Sequence, residues 1–157
     1  MAVTVTAEIF DPGLRSNEFL GGHSTAGAAV TFTGIVRSQA EKLITALILE
    51  CYVELAENEI REIVRRAVQR FGLIDADVIH RYGRLVPGEP IMQVMTLAAH
   101  RQAAFEGAEY LMDYLKTDAP FWKQEETAQG TQWVDAKAAD DAARDRWSLP
   151  EKSKAGQ

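Results

Sequence analysis

Residues 3–9, VTVTAEI, set Val3, Val5, Ala7 and Ile9 against Thr4, Thr6 and Glu8, an alternation that predicts a half-buried strand. Asp11, Pro12 and Gly13 interrupt it with a turn, and a short helix is expected over 13–20. GGHSTAG, 21–27, reads as a loop. AAVTFTGIV, 28–36, reads as the second strand, with Val30, Phe32, Gly34 and Val36 on one face and Thr31 and Thr33 on the other. A third apolar strand, LITALILE, covers 43–50 and leaves 37–42 as the connection. From 54 to 71 the period becomes helical. Ala56, Ile60, Ile63, Val64, Ala67 and Val68 form one stripe, Glu57, Arg61, Arg65 and Arg66 lie off it, and Gly72 is the expected stop.

Strands are expected again over 75–86, DADVIHRYGRLV, closed by Pro87–Gly88, and over 90–100, PIMQVMTLAAH. A second helix, 102–116, buries Ala104, Ala108, Leu111, Met112 and Leu115. Pro120 ends that region. FWKQEE and TQWVDA read as a hairpin turning around 128–130, and a short helix over 138–147 precedes a polar tail. Several successive strands are joined too briefly for a parallel crossover. The pattern therefore predicts an α+β fold with a mostly antiparallel sheet, one domain over 1–150 and a polar tail over 151–157.

Composition narrows the function classes. The 157 residues carry a net charge of −6, so bulk attraction to nucleic acid or to an anionic membrane is not expected, and any anion site must be a local basic cluster. Cys51 is the single cysteine, which excludes an intrachain disulfide. His23, His80 and His100 show no metal-ligand spacing, so no metal site and no cofactor is expected. GGHSTAG lacks the lysine and spacing of a phosphate loop, and Ser24 and Ser38 lack the G-x-S-x-G turn of esterases. MAVTVTAEIFDPG has no signal-peptide pattern and no segment suits a bilayer span, so the expected location is cytoplasmic.

The residues most suggestive of chemistry lie in LKTDAPFWKQE, where Lys116 and Lys123 flank a proline and an aromatic pair. Lys116 continues the apolar stripe of the second helix. It either complements the helix dipole with its ammonium snorkelled outward or reaches a pocket on the core side. Lys123 is either a solvated strand cation or a second charge in that pocket. His100–Arg101 stands at a strand-to-helix junction, where free N–H groups and a guanidinium fork suit phosphate or carboxylate. Arg37 ends the second strand as a further candidate anion ligand or a plain loop-edge cation.

The order of these segments is more specific than any one of them. VTFTGIVR, VIHRYGRL, PGEPI, AHR with AFEGAEYLMDYLKT, and APFWKQE together resemble the large, catalytic subunit family of molybdopterin synthase, over about Gly27 to Trp147. The resemblance implies an α/β hammerhead fold with an added small antiparallel β subdomain. It implies sulfur transfer from the Gly-Gly thiocarboxylate tail of a small ubiquitin-like carrier subunit to cyclic pyranopterin monophosphate, giving the molybdopterin dithiolene. It also implies a homodimer of large subunits within a heterotetramer. Carried over by motif, Lys116 and Lys123 are the catalytic residues, and Arg37, His100, Arg101 and Lys137 bind the substrate phosphate. Phe32 and Met112 line the pocket, and Glu125 orients Lys123.

The chain departs from the family pattern at SQAEKLITAL after Arg37, a loop one residue shorter than usual. Cys51 replaces a common His, Glu54–Leu55 a Gly-Met pair, and Lys137 an arginine. A basic pocket of this kind also suits a docking module for a ubiquitin-like carrier without chemistry, or an enzyme acting on a phosphate ester.

Overall fold

The computed structural model describes residues 1–135 and 138–148. In chain order the elements are β1 (Ala2–Thr6), α1 (Pro12–Leu20), β2 (Ala28–Ile35), β3 (Ala46–Glu50), α2 (Val53–Phe71), β4 (Asp75–Arg81), β5 (Gly83–Leu85), β6 (Pro90–Ala98), α3 (Arg101–Leu115), β7 (Trp122–Thr127), β8 (Gly130–Val134) and α4 (Ala138–Asp145), with a 3-10 turn at Arg146–Ser148. The strands form two four-stranded sheets, ordered β1-β4-β6-β2 and β5-β3-β7-β8. β1 and β4 run parallel, and every other pairing among the described residues is antiparallel, as the short connections required.

The helical stripe read from 54–71 is the buried face of α2: Ala56, Ile60, Ile63, Val64 and Ala67 are all inaccessible to solvent. Burying Ile60, Ile63 and Val64 contributes about 1.5–3 kcal/mol each. Gly72 ends α2 at φ 63, a left-handed cap that a residue with a Cβ adopts poorly. The main core joins this face to Ala104, Ala108, Leu111 and Leu115 of α3 and to Val78, Met92 and Val94 of the first sheet. A smaller cluster, Val36, Leu47, Leu49 and Leu85, holds the end of β2 to the second sheet.

Two expectations need correction. The apolar run 75–86 is not one strand. β4 stops at Arg81, Tyr82 N–H donates to Thr6 O at 3.0 Å, and Gly83, at φ 92, redirects the chain so that Gly83–Leu85 pairs with β3 in the other sheet. Hydrophobic alternation continues through that corner, so periodicity alone hides it. The strands expected from 3–9 and 43–50 are also shorter: Glu8 N–H bonds to Thr6 Oγ1, Leu43 is exposed, and pairing covers only Ala2–Thr6 and Ala46–Glu50.

Candidate active site

Strand direction decides which candidates meet. β2 and β6 are antiparallel, with Ala28 opposite Ala98 at one end and Ile35 opposite Pro90 at the other. α3 leaves the Ala98 end, where Thr96 Oγ1 donates to Ala104 O at 2.7 Å, and returns along the sheet. Its C-terminus thus lies at the Pro90 end, together with the end of β4, where His80 pairs with Met92. Arg37 follows β2 at this same end.

Lys116 caps α3, its N–H donating to Met112 O at 3.1 Å, and its side chain is exposed rather than buried along the stripe. The chain then turns tightly. Thr117 Oγ1 donates to Asp113 O at 2.9 Å, Asp118 N–H to Tyr114 O at 2.7 Å and Phe121 N–H to Ala119 O at 2.9 Å. Phe121 lies flat on the ring of His80, with centroids 3.9 Å apart and planes at 19°. β7 begins at the next residue. Lys123 sits opposite Leu49 on one side and Val134 on the other.

Cross-strand partners share a face. Lys123 and Glu125 therefore project on the side of Leu49 and Leu47, which is the side packed against Val36. The backbones of Lys116, Lys123 and Arg37 thus lie at one end of the fold, where the two sheets meet. Trp122, in contrast, faces the other way and meets Tyr52 edge-on at 5.8 Å.

The loop after Arg37 reaches into this region. Ser38 Oγ accepts from Ile44 N–H at 3.0 Å, which closes the loop on itself. Lys42 Nζ lies 2.6 Å from Glu125 Oε2. The carboxylate expected to orient Lys123 is thus the ion-pair partner of a loop lysine. Pattern reading passed over Lys42 because nothing in a loop's sequence says which strand it will touch.

His100 and Arg101 lie at the other end. His100 is the N-cap of α3 and Arg101 its first residue, both exposed beside the unpaired N–H groups of the first turn. A Cβ at Gly27 would stand 2.2 Å from Ala99 O, so only glycine lets β2 pass this junction. The separation from Arg37 is about the length of β2, roughly 25 Å at ~3.3 Å per residue. From Lys116 it is about the length of α3, roughly 22 Å at ~1.5 Å per residue. One chain therefore does not gather all its expected anion ligands into a single cradle.

Phe32 lies midway along β2, on the face that Val30 turns toward the core, and is itself partly exposed. Met112 is half-buried against that core from α3. Lys137 lies outside the described residues. A polar cavity of about 250 Å³ lined by Arg15, Glu18, Phe19, His23, Asp75 and Asp77 is also at the far end, with its charges largely paired among themselves. Among the described residues no cluster of three or more His, Cys, Asp or Glu side chains could hold a metal ion, and no helix is long and apolar enough to cross a membrane.

Burial pushes the His80 imidazole down to about 4, against a weaker opposing effect from its bond to Arg81 O. Its Nδ1 lies 2.8 Å from that carbonyl, which can only accept, so Nδ1 carries the proton of a neutral ring. Below pH ~6.5 the unfolded chain binds a proton that the native chain refuses. This contribution to stability is complete above pH ~6.5 and is lost as pH falls toward 4, up to about 3 kcal/mol in all. Urea denaturation at pH 7 and pH 5 is expected to show wild type losing more stability than His80→Phe. Equal losses in the two proteins would contradict the assignment.

Fold and site together define a class: a two-sheet α+β protein that presents lysines and an arginine at one sheet junction, suited to an anionic substrate. The family model described as MoaE protein matches residues 5–118. The chain belongs to the MoaE family. It is 54% identical to the molybdopterin synthase catalytic subunit of Cereibacter sphaeroides, across 94% of this chain and 100% of that one. It is 49% identical to the subunit of that name from Rhizobium meliloti, across 94% and 99%. Among solved structures, a molybdopterin biosynthesis MoaE protein from Burkholderia ambifaria superposes with a TM-score of 0.80 at 40% identity, covering 96% of this chain and all of that one. Molybdopterin synthase from Staphylococcus aureus gives 0.77 at 26% identity, covering 84% and 96%.

Proposed function

We propose that this chain is the catalytic subunit of a molybdopterin synthase. It moves sulfur from the thiocarboxylated C-terminus of a small ubiquitin-like carrier subunit onto cyclic pyranopterin monophosphate, forming the dithiolene. Near-full-length similarity to proteins bearing that name supports the reaction class. What supports the site is that β2, α3 and β7 bring the backbones of Arg37, Lys116 and Lys123 to the end of the fold where the sheets meet. In this reading one lysine engages the acyl carbon of the carrier tail and the other moves protons or stabilises the developing oxyanion. Arg37, His100, Arg101 and Lys137 hold the substrate phosphate, with Phe32 and Met112 lining the pocket.

The distance from Arg37 to His100–Arg101 supports a homodimer, one copy supplying the lysine end and its partner the helix N-terminus, within a heterotetramer that includes two carriers. The remaining elements of the reading are a hammerhead arrangement of the first sheet and its helices, one domain over 1–150, a tail over 151–157, and a cytoplasmic location. The direct test mixes the purified chain with thiocarboxylated carrier and the cyclic pterin precursor. Dithiolene is expected to form only when all three are present. Carrier binding without product would instead make the chain a docking module, and cleavage of the cyclic phosphate without carrier would make it a phosphate-ester enzyme.

A further inference from the structure

Two consecutive residues touch both halves of the lysine end. His80 is buried at the end of β4, its ring fixed in plane by the 2.8 Å bond from Nδ1 to Arg81 O, and Phe121 rests flat upon it. Phe121 belongs to the tight turn between Lys116 and Lys123, so the imidazole is the floor on which that turn sits. Arg81 is buried as well. Its Nη1 donates to Glu89 Oε2 at 3.1 Å and to Pro90 O at 3.0 Å, and its Nη2 to Ala7 O at 3.5 Å.

The same Glu89 oxygen accepts from Val86 N–H at 3.2 Å, and Glu89 N–H donates back to Val86 O at 3.1 Å. That closes the turn over 86–89. The turn in its own right clasps the end of β2: Val36 N–H donates to Glu89 O, and Gly88 N–H to Val36 O, both at 2.9 Å. Arg37 is the next residue. A continuous chain of contacts therefore runs from Phe121 through His80 and Arg81 to the backbone that presents Arg37.

Packing alone does not account for these residue types. Aliphatic side chains would fill the same volume without desolvating an imidazole and a guanidinium, and Arg81 Nε is buried with no hydrogen-bond partner. A flat ring locked by its own backbone bond fixes the height and tilt of whatever stacks on it. A guanidinium with two terminal nitrogens can hold a carboxylate and carbonyls at once.

We propose that His80–Arg81 is the positioning unit of this site, the imidazole setting the Lys116–Lys123 turn through Phe121 and the guanidinium setting Arg37 through Glu89. This rests on the sulfur-transfer reading above. It assigns the two residues to separable steps: His80 to alignment of the lysines, hence to kcat, and Arg81 to alignment of Arg37, hence to the KM for the pterin.

Steady-state kinetics with thiocarboxylated carrier and cyclic pterin, run beside wild type and scaled to folded protein by thermal melts, tests both arms. His80→Ala is expected to lower kcat roughly 10- to 100-fold with pterin KM within about twofold, since displacement by an ångström costs that much. His80→Phe keeps a flat ring but loses the Nδ1 bond, and is expected to recover part of that loss, with kcat between His80→Ala and wild type. Glu89→Gln weakens the grip on Arg81 and is expected to raise pterin KM roughly tenfold while sparing kcat. If His80→Ala does not fold, Phe121→Leu removes the same stack from the outer side and is expected to show the same kcat loss.

Wild-type kcat per folded molecule in both His80→Ala and Phe121→Leu would overturn the proposal. So would a His80→Phe variant as slow as His80→Ala, or a Glu89→Gln variant with unchanged pterin KM. Absence of product from wild type itself overturns the sulfur-transfer reading instead, which keeps the two failures distinct.

Discussion

Replacing Lys116 with alanine is expected to lower dithiolene formation by roughly 10²–10⁴-fold while leaving the fold intact. The argument starts from position. Lys116 caps α3, its side chain is exposed, and the bond that closes the helix is made by its backbone N–H, which alanine keeps. The substitution removes a cation from a helix C-terminus, an effect of about 0.3–1 kcal/mol, and little else. A change that small in stability cannot account for a large loss of turnover. If turnover collapses while the melting curve barely moves, the ammonium acts on the reacting groups. Carrier binding should persist, because a docked tail touches much more than one side chain. Near-normal product formation by Lys116→Ala would remove Lys116 from the chemistry and shift the burden to Lys123.

Lys123 and Glu125 show where sequence reading succeeds and where it stops. The family resemblance linked Glu125 to Lys123, and the register opposite Leu47 and Leu49 sets both residues on one face of β7. Alternation does not say which loop lies over a face. Glu125 is paired with Lys42, and the pairing depends on how 38–44 folds back through Ser38 and Ile44. α2 was legible almost residue by residue, because an amphipathic stripe with a glycine stop is local information. The corner at Tyr82–Gly83 was not, since VIHRYGRLV keeps its apolar rhythm while changing sheets.

The candidate ligands follow the same division. Residue types and order pointed to Arg37, His100, Arg101, Lys116 and Lys123 as a set. Their spatial grouping depends on strand direction, a long-range property. The antiparallel β2–β6 pair and the returning α3 put two of the five at the far end. His80 and Arg81 entered the sequence reading only as part of VIHRYGRL and as a histidine without metal-ligand spacing, which assigned neither a role. Their contacts are made by residues up to 74 positions away.

That division of the cations leads to the second large effect. Mixing two inactive variants, Lys116→Ala and Arg101→Ala, is expected to restore turnover to about one quarter of wild type after subunit exchange. In a two-fold dimer each site would take its lysine end from one copy and its helix N-terminus from the other. Random reassortment makes about half of the dimers mixed. In a mixed dimer one site inherits both defects and the other inherits neither, so half of its sites work. Neither variant alone has any intact site. If each site instead drew all its cations from one chain, every site in the mixture would still carry one defect, and mixing would restore nothing. That outcome would require His100–Arg101 to act elsewhere, because the length of β2 and α3 keeps them from Arg37 and Lys116 within a single chain.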